Sequence, residues 1–416
     1  MRKIANLFLI LFLVIAAMRI FTELSRFSAL PGAIAGLNHL LAILLFLLAV
    51  AVYFGLGLNC HLVKAQFVPL LVYLCWGLLD FWPLEPLIGV NYALYAALGQ
   101  LLLGMLVLRS IRRQNGSSWL LTAGQFAGPS FSGAHLLRFC LLGLPLLPLI
   151  LLLLGFATGR NLVESYTAGF VRLKPNGLYM IEKVYARGDK EIRLVAMIHL
   201  ARPEFYADLS NSFNSGPSLL LAEGVSDTQG LLRGKFSYGN LAELLDLDSQ
   251  EHLRFPGHPI TAASLDLPLT AASAGPDILR ADIDAQDFDP RTIDVLKAVG
   301  TYLLHASSPG RGYQEFSQWA REHLTPEINQ VLMADLLLKR NRAVLSYLAK
   351  GLHKYRTILI PWGAMHMPGL EAGVKARGFV LRGSRERLSI DFFRLPYGQL
   401  WERLTQPAEG APISSN

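Results

Sequence analysis

Hydrophobic positions follow two regimes along this chain. Up to about residue 157 they come in long runs, Ile4 to Met18, Ala33 to Leu58, Phe67 to Leu79, Val90 to Leu108 and Leu136 to Ala157. Most of these approach the ~20 apolar residues with which a helix crosses a bilayer, so the pattern predicts an α-helical transmembrane bundle of about five spans, the third the shortest. Beyond a tether over 158–174 the runs shorten and are punctuated by Gly, Pro and acidic residues, the mark of an α/β domain, here placed at 175–395. Gly177 to Tyr185 and the strand ending at His199 flank Arg187-Gly188-Asp189-Lys190, which reads as a hairpin. A helix opens at Pro203, and Ser218 to Val225 returns as an apolar strand ending in Glu223. The middle, from Asn240 to Asp294, mixes a helical pattern at Leu241 to Leu247 with an acidic cluster, Asp282, Asp284, Asp287 and Asp289. Thr325, Pro326 and Glu327 open a long helix that Gly351 is expected to close. The strand from Thr357 runs through Gly363 to His366, then a helix, then the strand Gly378 to Leu381, making a strand-helix-strand unit. Residues 396–416 read as a polar tail.

Charge adds a direction. Arg2, Lys3, Lys64, Arg109, Arg112, Arg113 and Arg138 fall in loops on one side of the predicted spans, whereas Arg19, Glu23, Arg26, Asp80 and Glu85 fall on the other. The positive-inside rule then puts the N-terminus in the cytoplasm and everything after the fifth span outside. A basic start followed by an apolar run also fits a cleaved signal sequence, but no small-x-small cleavage site follows, and the run reads as an anchor. The Asn115–His135 loop, with Trp119-Leu120-Leu121, reads as a segment at the membrane interface. Asn38 and His39, inside an apolar span, are read as helix–helix hydrogen-bonding groups or, less simply, as marks of a pathway. The net charge of +7 carries no basic patch interleaved with aromatics, which argues against a nucleic-acid partner. All three cysteines, Cys60, Cys75 and Cys140, lie in the membrane part, so the later domain has neither a disulfide nor thiolate chemistry of its own.

The candidate chemistry sits at strand ends. His199, Glu223 and His366 each follow an apolar strand, and in open α/β sheets ligands bind beyond the strands' carboxyl ends. Two imidazoles and a carboxylate suit a divalent metal with an open position for water. The same residues would also serve without metal, as a general base beside an oxyanion-stabilising Arg340. Arg340 has apolar neighbours three and four positions away, Leu336, Leu337, Ala343 and Val344, so it should face inward and require an anionic partner. Lys339 and Arg342 should face solvent. No H-E-x-x-H helix, G-x-S-x-G elbow or phosphate-binding loop is present.

Taken in order, Ala196-Met197-Ile198-His199, Leu221-Ala222-Glu223-Gly224, Lys339-Arg340-Asn341 and Gly363-Ala364-Met365-His366 resemble the motifs of the TraB/PrgY/GumN family, which includes the TIKI metalloproteases and is related to the erythromycin-esterase/ChaN group. The resemblance covers about residues 175 to 390 and is most specific from Leu336 to Val380. It extends to the helix Asn240–Asp248 that leads to Gln250, and it departs from the family at Ala196, where the first motif has glycine. It implies an erythromycin-esterase/ChaN-like mixed sheet with His199, Glu223 and His366 as metal and catalytic centre, supported by Arg340 and Asn341. The implied cofactor is a divalent ion, Mn, Co or Zn. The implied substrate is a peptide or protein; the spans and their charge asymmetry, read separately, make the chain an integral protein of a bacterial inner membrane with this domain periplasmic or extracellular. Two functions stay open: a metal-dependent peptidase, and a module of the PrgY type that sequesters a peptide or ligand without cutting it.

Overall fold

The computed structural model describes residues 1–24, 31–213, 217–232, 238–250, 253–266, 275–304 and 309–405. The chain divides into two compact units, Met1–Gly159 and Arg160–Asn416. The first is helical: α1 Arg2–Leu24, α2 Pro31–Leu58, α3 Lys64–Gly77, α4 Leu84–Ile88, α5 Tyr92–Asn115, α6 Gly133–Leu142 and α7 Leu146–Tyr166, the last running into the second unit.

Four of these helices, α1, α2, α5 and α7, are long and apolar enough to cross a membrane, against the five spans the pattern predicts. The third run falls short for a geometric reason. Helix α3 has 14 residues with Pro69 among them, about 21 Å at 1.5 Å per residue, below the ~30 Å of a hydrocarbon core. The fifth run is also not one helix, because Gly143, Leu144 and Pro145 break it between α6 and α7. Helices α1, α3 and α5 pack side by side, with α5 antiparallel to the other two. Gln100 Nε2 donates to Phe12 O at 2.8 Å, Gln66 Nε2 to Gln114 Oε1 at 3.0 Å, and the Tyr73 hydroxyl to Ala96 O. Asn6 exchanges two hydrogen bonds of 3.0 Å with the backbone of Leu121. The ends bearing Arg2 and Lys3, Lys64, and Arg109 to Arg113 therefore lie together. Leu121, read as part of an interfacial patch, is instead buried in the bundle core. Asn38 Oδ1 is buried without a hydrogen-bond partner, and His39 is exposed.

The second unit is a mixed α/β sheet domain. Its strands are β1 Val171–Lys174, β2 Gly177–Arg187, β3 Lys190–Met197, β4 Leu200–Ala201, β5 Leu219–Ala222, β6 Asp248–Ser249, β7 His258–Ile260, β8 Asp277–Arg280, β9 Thr357–Gly363 and β10 Val380–Asp391. Five of them, β3, β9, β5, β8 and β7, are parallel neighbours in that order. β2 joins β3 antiparallel through the hairpin at Gly188, and pairs with β1 and β10 as well. β4 and β6 form a separate two-stranded ladder. The central position of β9 explains its unbroken apolar reading: Ile358, Leu359, Ile360 and Trp362 are all buried because both faces are covered.

The covering helices are α8 Pro203–Asn211, α9 Gly239–Leu245, α10 Pro290–Val299, α11 Pro309–His323, α12 Pro326–Met333, α13 Arg340–Lys354, α14 Met367–Ala376 and α15 Tyr397–Thr405. Thr325 Oγ1 accepts from Ile328 N at 3.4 Å and caps α12 as the sequence indicates. The long helix is not continuous, however. A π-helical turn over Ala334–Lys339 divides α12 from α13, and Asp335 within it is buried. Asp335 accepts from Thr292 Oγ1 and Asp289 N, both at 2.7 Å, and pairs with Lys339 at 2.6 Å. Lys339 thus neutralises a buried carboxylate rather than merely facing water.

Gly351 does not end the helix, which runs on to Lys354. Its missing Cβ serves packing instead, since a Cβ there would lie 2.5 Å from Leu219 Cδ2 and 3.2 Å from Ile358 Cδ1. Tyr397–Thr405, at the start of the expected polar tail, form α15, which lies against α9; residues 406–416 are outside the described residues. Beside the main core a smaller one gathers Ala285, Phe288 and Ile293 with Val225, Leu231, Leu232 and Leu336.

Candidate functional site

Parallel strands of one sheet present their carboxyl ends together, and here each of four neighbours is followed by a chemically capable side chain. β3 leads to His199, β9 to His366, β5 to Glu223 and β8 to Asp282. Register keeps the ends level: Met197 pairs with Gly363, and Ala222 with Arg280. Ala196, where the resembled motif has glycine, is a buried strand residue paired with Trp362 and has no left-handed backbone. Alanine is accommodated there because no turn occurs at that position.

Arg340 ties two of these ends. Its Nη2 donates to Glu223 Oε1 at 2.8 Å and to Asp282 Oδ2 at 2.7 Å, and its Nε to Asp282 Oδ1 at 3.0 Å. The Asp282 carboxylate is fully buried and also accepts from Gly224 N at 3.0 Å and Ile283 N at 2.9 Å. Glu223 Oε2 accepts from Gly363 N at 2.6 Å, so one carboxylate spans two strand ends. Burial works against the Arg340 charge, but Asp282 and Glu223 outweigh it and raise its pKa further. The guanidinium also lies over the Trp362 ring, 5.4 Å from its centroid.

His366 is 4% exposed. Its Nε2 lies 3.6 Å from Glu223 Oε1, its Nδ1 lies 2.8 Å from Asn341 Oδ1, and Trp362 meets its ring edge-on at 5.0 Å. Burial first, then Arg340, lower its pKa to about 4 despite the opposing pull of Glu223 and Asp282. The imidazole is therefore neutral at neutral pH.

His199 differs. It is exposed, with its ring stacked at 4.8 Å on Tyr238, and its carbonyl accepts from Gln250 N at 2.8 Å. It is close enough for its charge to bear on His366. The structure thus brings Glu223, Arg340, Asn341 and His366 into mutual contact and leaves His199 at the surface of the adjoining strand end.

For a divalent ion, the donor chemistry fits in two of three ligands. The neutral His366 and Glu223 face each other across 3.6 Å, and Asn341 holds the far nitrogen of the imidazole, as the hydrogen-bond partners behind metal-ligating histidines do. Two carboxylates against one guanidinium also leave a formal negative charge in a buried place. His199 is exposed and stacked on Tyr238, and among the described residues no group of three or more His, Cys, Asp or Glu is placed to hold an ion.

Asp282 escaped the sequence reading, being one acid of a cluster of four. Its signal is the short apolar pair Ile278-Leu279 just before it, the same strand-then-acid pattern that marks Glu223. Comparison with protein-family models, curated proteins and solved structures finds no match to this chain.

Removing the guanidinium strands two carboxylates. Arg340→Ala is expected to cost about 3 to 5 kcal/mol in urea unfolding of the purified chain, with Arg340→Lys intermediate because an ammonium cannot bridge both acids bidentately. Arg342→Ala, on the exposed side of α13, should stay within about 0.5 kcal/mol of wild type.

His366 adds a pH dependence whose sign follows from its depressed pKa. Between pH 6.5 and about 4 the unfolded chain binds a proton that the folded one refuses, so stability is full above 6.5 and falls as pH drops. The loss is on the order of 3 kcal/mol, about 2 of it by pH 5. His366→Gln should lose less stability than wild type over that window, and parallel curves for the two proteins would refute the assignment.

Proposed function

We propose that the chain is a membrane-anchored hydrolase that cuts peptides or protein termini on the opposite side of the membrane from its own N-terminus. The observation that carries this reading is a buried neutral imidazole whose Nε2 faces a carboxylate at 3.6 Å with a guanidinium on the same carboxylate oxygen. The motif resemblance to the TraB/PrgY/GumN family, TIKI metalloproteases included, is its second support.

By the family resemblance His366 and Glu223, with His199 once it leaves its stack on Tyr238, would hold a manganese, cobalt or zinc ion, which would supply a water activated for attack. The chain's own residues do the rest. His366 offers an unprotonated Nε2, either as ligand or as acceptor of a proton from attacking water. Arg340, fixed by Asp282, is the cation available to the oxyanion that develops on the substrate carbonyl. Glu223, anchored at Gly363 N and Arg340, keeps its orientation as substrate enters.

The sidedness rests on the charge gathered at one end of the bundle, which the positive-inside rule assigns to the cytoplasm. From that end α1, α2, α3 with its following turn and α4, α5, and α6 with α7 make five passes. The sheet domain then stands in the periplasm or outside the cell, and the membrane is that of a bacterium's inner envelope. Alkaline phosphatase fused after Val171 should be active and after Arg113 inactive; the reverse pattern removes an exported enzyme.

For the chemistry, the purified full chain is offered manganese, cobalt or zinc with a peptide library read by mass spectrometry. We expect cleavage with at least one ion, and a gain in thermal stability of about 2.7 kcal/mol at a hundredfold excess over the dissociation constant. His366→Gln and Glu223→Gln should abolish both, whereas changing the exposed His258 should abolish neither. Cleavage without any added or bound ion would leave the general-base form of the hydrolase. Peptide bound yet uncut with all three ions would replace the enzyme with a PrgY-type sequestering module.

A further inference from the structure

We infer that Asn341 sets the tautomer of His366, leaving Nε2 unprotonated toward Glu223, and that Gly369 supplies the space in which it does so. The inference deepens the reading of His366 as a site residue by assigning its reactive nitrogen.

Asn341 meets His366 twice. Its Nδ2 donates to the His366 backbone carbonyl at 3.3 Å, and its Oδ1 stands 2.8 Å from the ring Nδ1. A carbonyl oxygen only accepts, so the amide nitrogen must lie on that side, and the amide oxygen, which also only accepts, is left against Nδ1. Nδ1 must therefore carry the ring proton, and Nε2 keeps its lone pair. Reversing the amide would oppose two acceptors at the carbonyl.

The ring has no easy escape from this arrangement. It is 4% exposed and Asn341 8%, and the Trp362 edge that bounds it is held by Nε1 donating to Leu221 O at 3.0 Å. Gly369 lies within α14, where its helical backbone makes no demand for glycine. The demand comes from space, because a Cβ at this position would stand 2.4 Å from Asn341 Nδ2. Gly369 and Asn341 are positioning residues; neither has to touch substrate.

The test reads the nitrogens directly. The full chain is labelled with ¹⁵N-histidine, the His366 signals are assigned by their loss in His366→Gln, and ring shifts are recorded at neutral pH without added metal. Wild type should show a protonated Nδ1 and a bare Nε2. Asn341→Leu should lose that signature in favour of the Nε2–H form, and Gly369→Ala should do the same. Asn341→Asp, whose carboxylate still accepts from Nδ1, should keep Nδ1 protonated. A wild-type Nε2–H signal, or an unchanged signature in Asn341→Leu, overturns the inference; should Gly369→Ala fail to fold, the two Asn341 variants decide. Since the readout is spectroscopic, an Nδ1–H signature in a chain that hydrolyses nothing sinks only the enzymatic reading.

Discussion

The organising constraint of the sheet domain is one guanidinium buried between two carboxylates. Charges taken out of water this far persist only when each is matched and hydrogen-bonded, and Arg340 meets both demands with three donor contacts to Asp282 and one to Glu223. Those acids hang from the ends of neighbouring parallel strands, and the arginine comes from a helix lying across them. The ion cluster therefore fixes strand ends, helix and imidazole in one geometry. The domain has no cysteine with which to do this covalently.

That geometry also lies where two apolar cores meet. The main core packs α13 and α14 on the sheet, and the smaller one, around Phe288 and Ile293, holds the segments that follow β5 and β8. A backbone bridge between Ser226 and Asp284 and the buried Asp335 network secure the smaller core close to where Glu223 and Asp282 emerge. Burial against these cores, together with the neighbouring Arg340 charge, is what depresses the His366 pKa.

Much of this was readable in the residues, and what was not has identifiable causes. The strands leading to His199, Glu223 and His366 announce themselves because apolar runs stop at a histidine, an acid and a glycine respectively, and Arg340 because its helical neighbours are apolar. Asp282 was hidden by Asp284, Asp287 and Asp289, which make turns and a cap beside it; local spacing cannot tell a capping acid from one that meets an arginine 58 residues later. The π turn at Ala334–Lys339 is likewise invisible to a 3.6-residue count. In the membrane part, hydropathy reported apolar length correctly but could not see Gly143 and Pro145 dividing one run, nor that α3 is a short helix seated against α5.

Gly351 shows how far the site's definition extends along the chain. It stands eleven residues from Arg340 on the same helix, about 16 Å at 1.5 Å per residue, and it lets that helix settle directly on Leu219 and Ile358. Leu219 opens the strand whose other end presents Glu223. Helix and strand are thus clamped at one end and joined by an ion pair at the other, like two arms of a caliper. A methyl group inserted at the clamp would open the jaws, and a mutational survey would then score a remote glycine as part of the active centre.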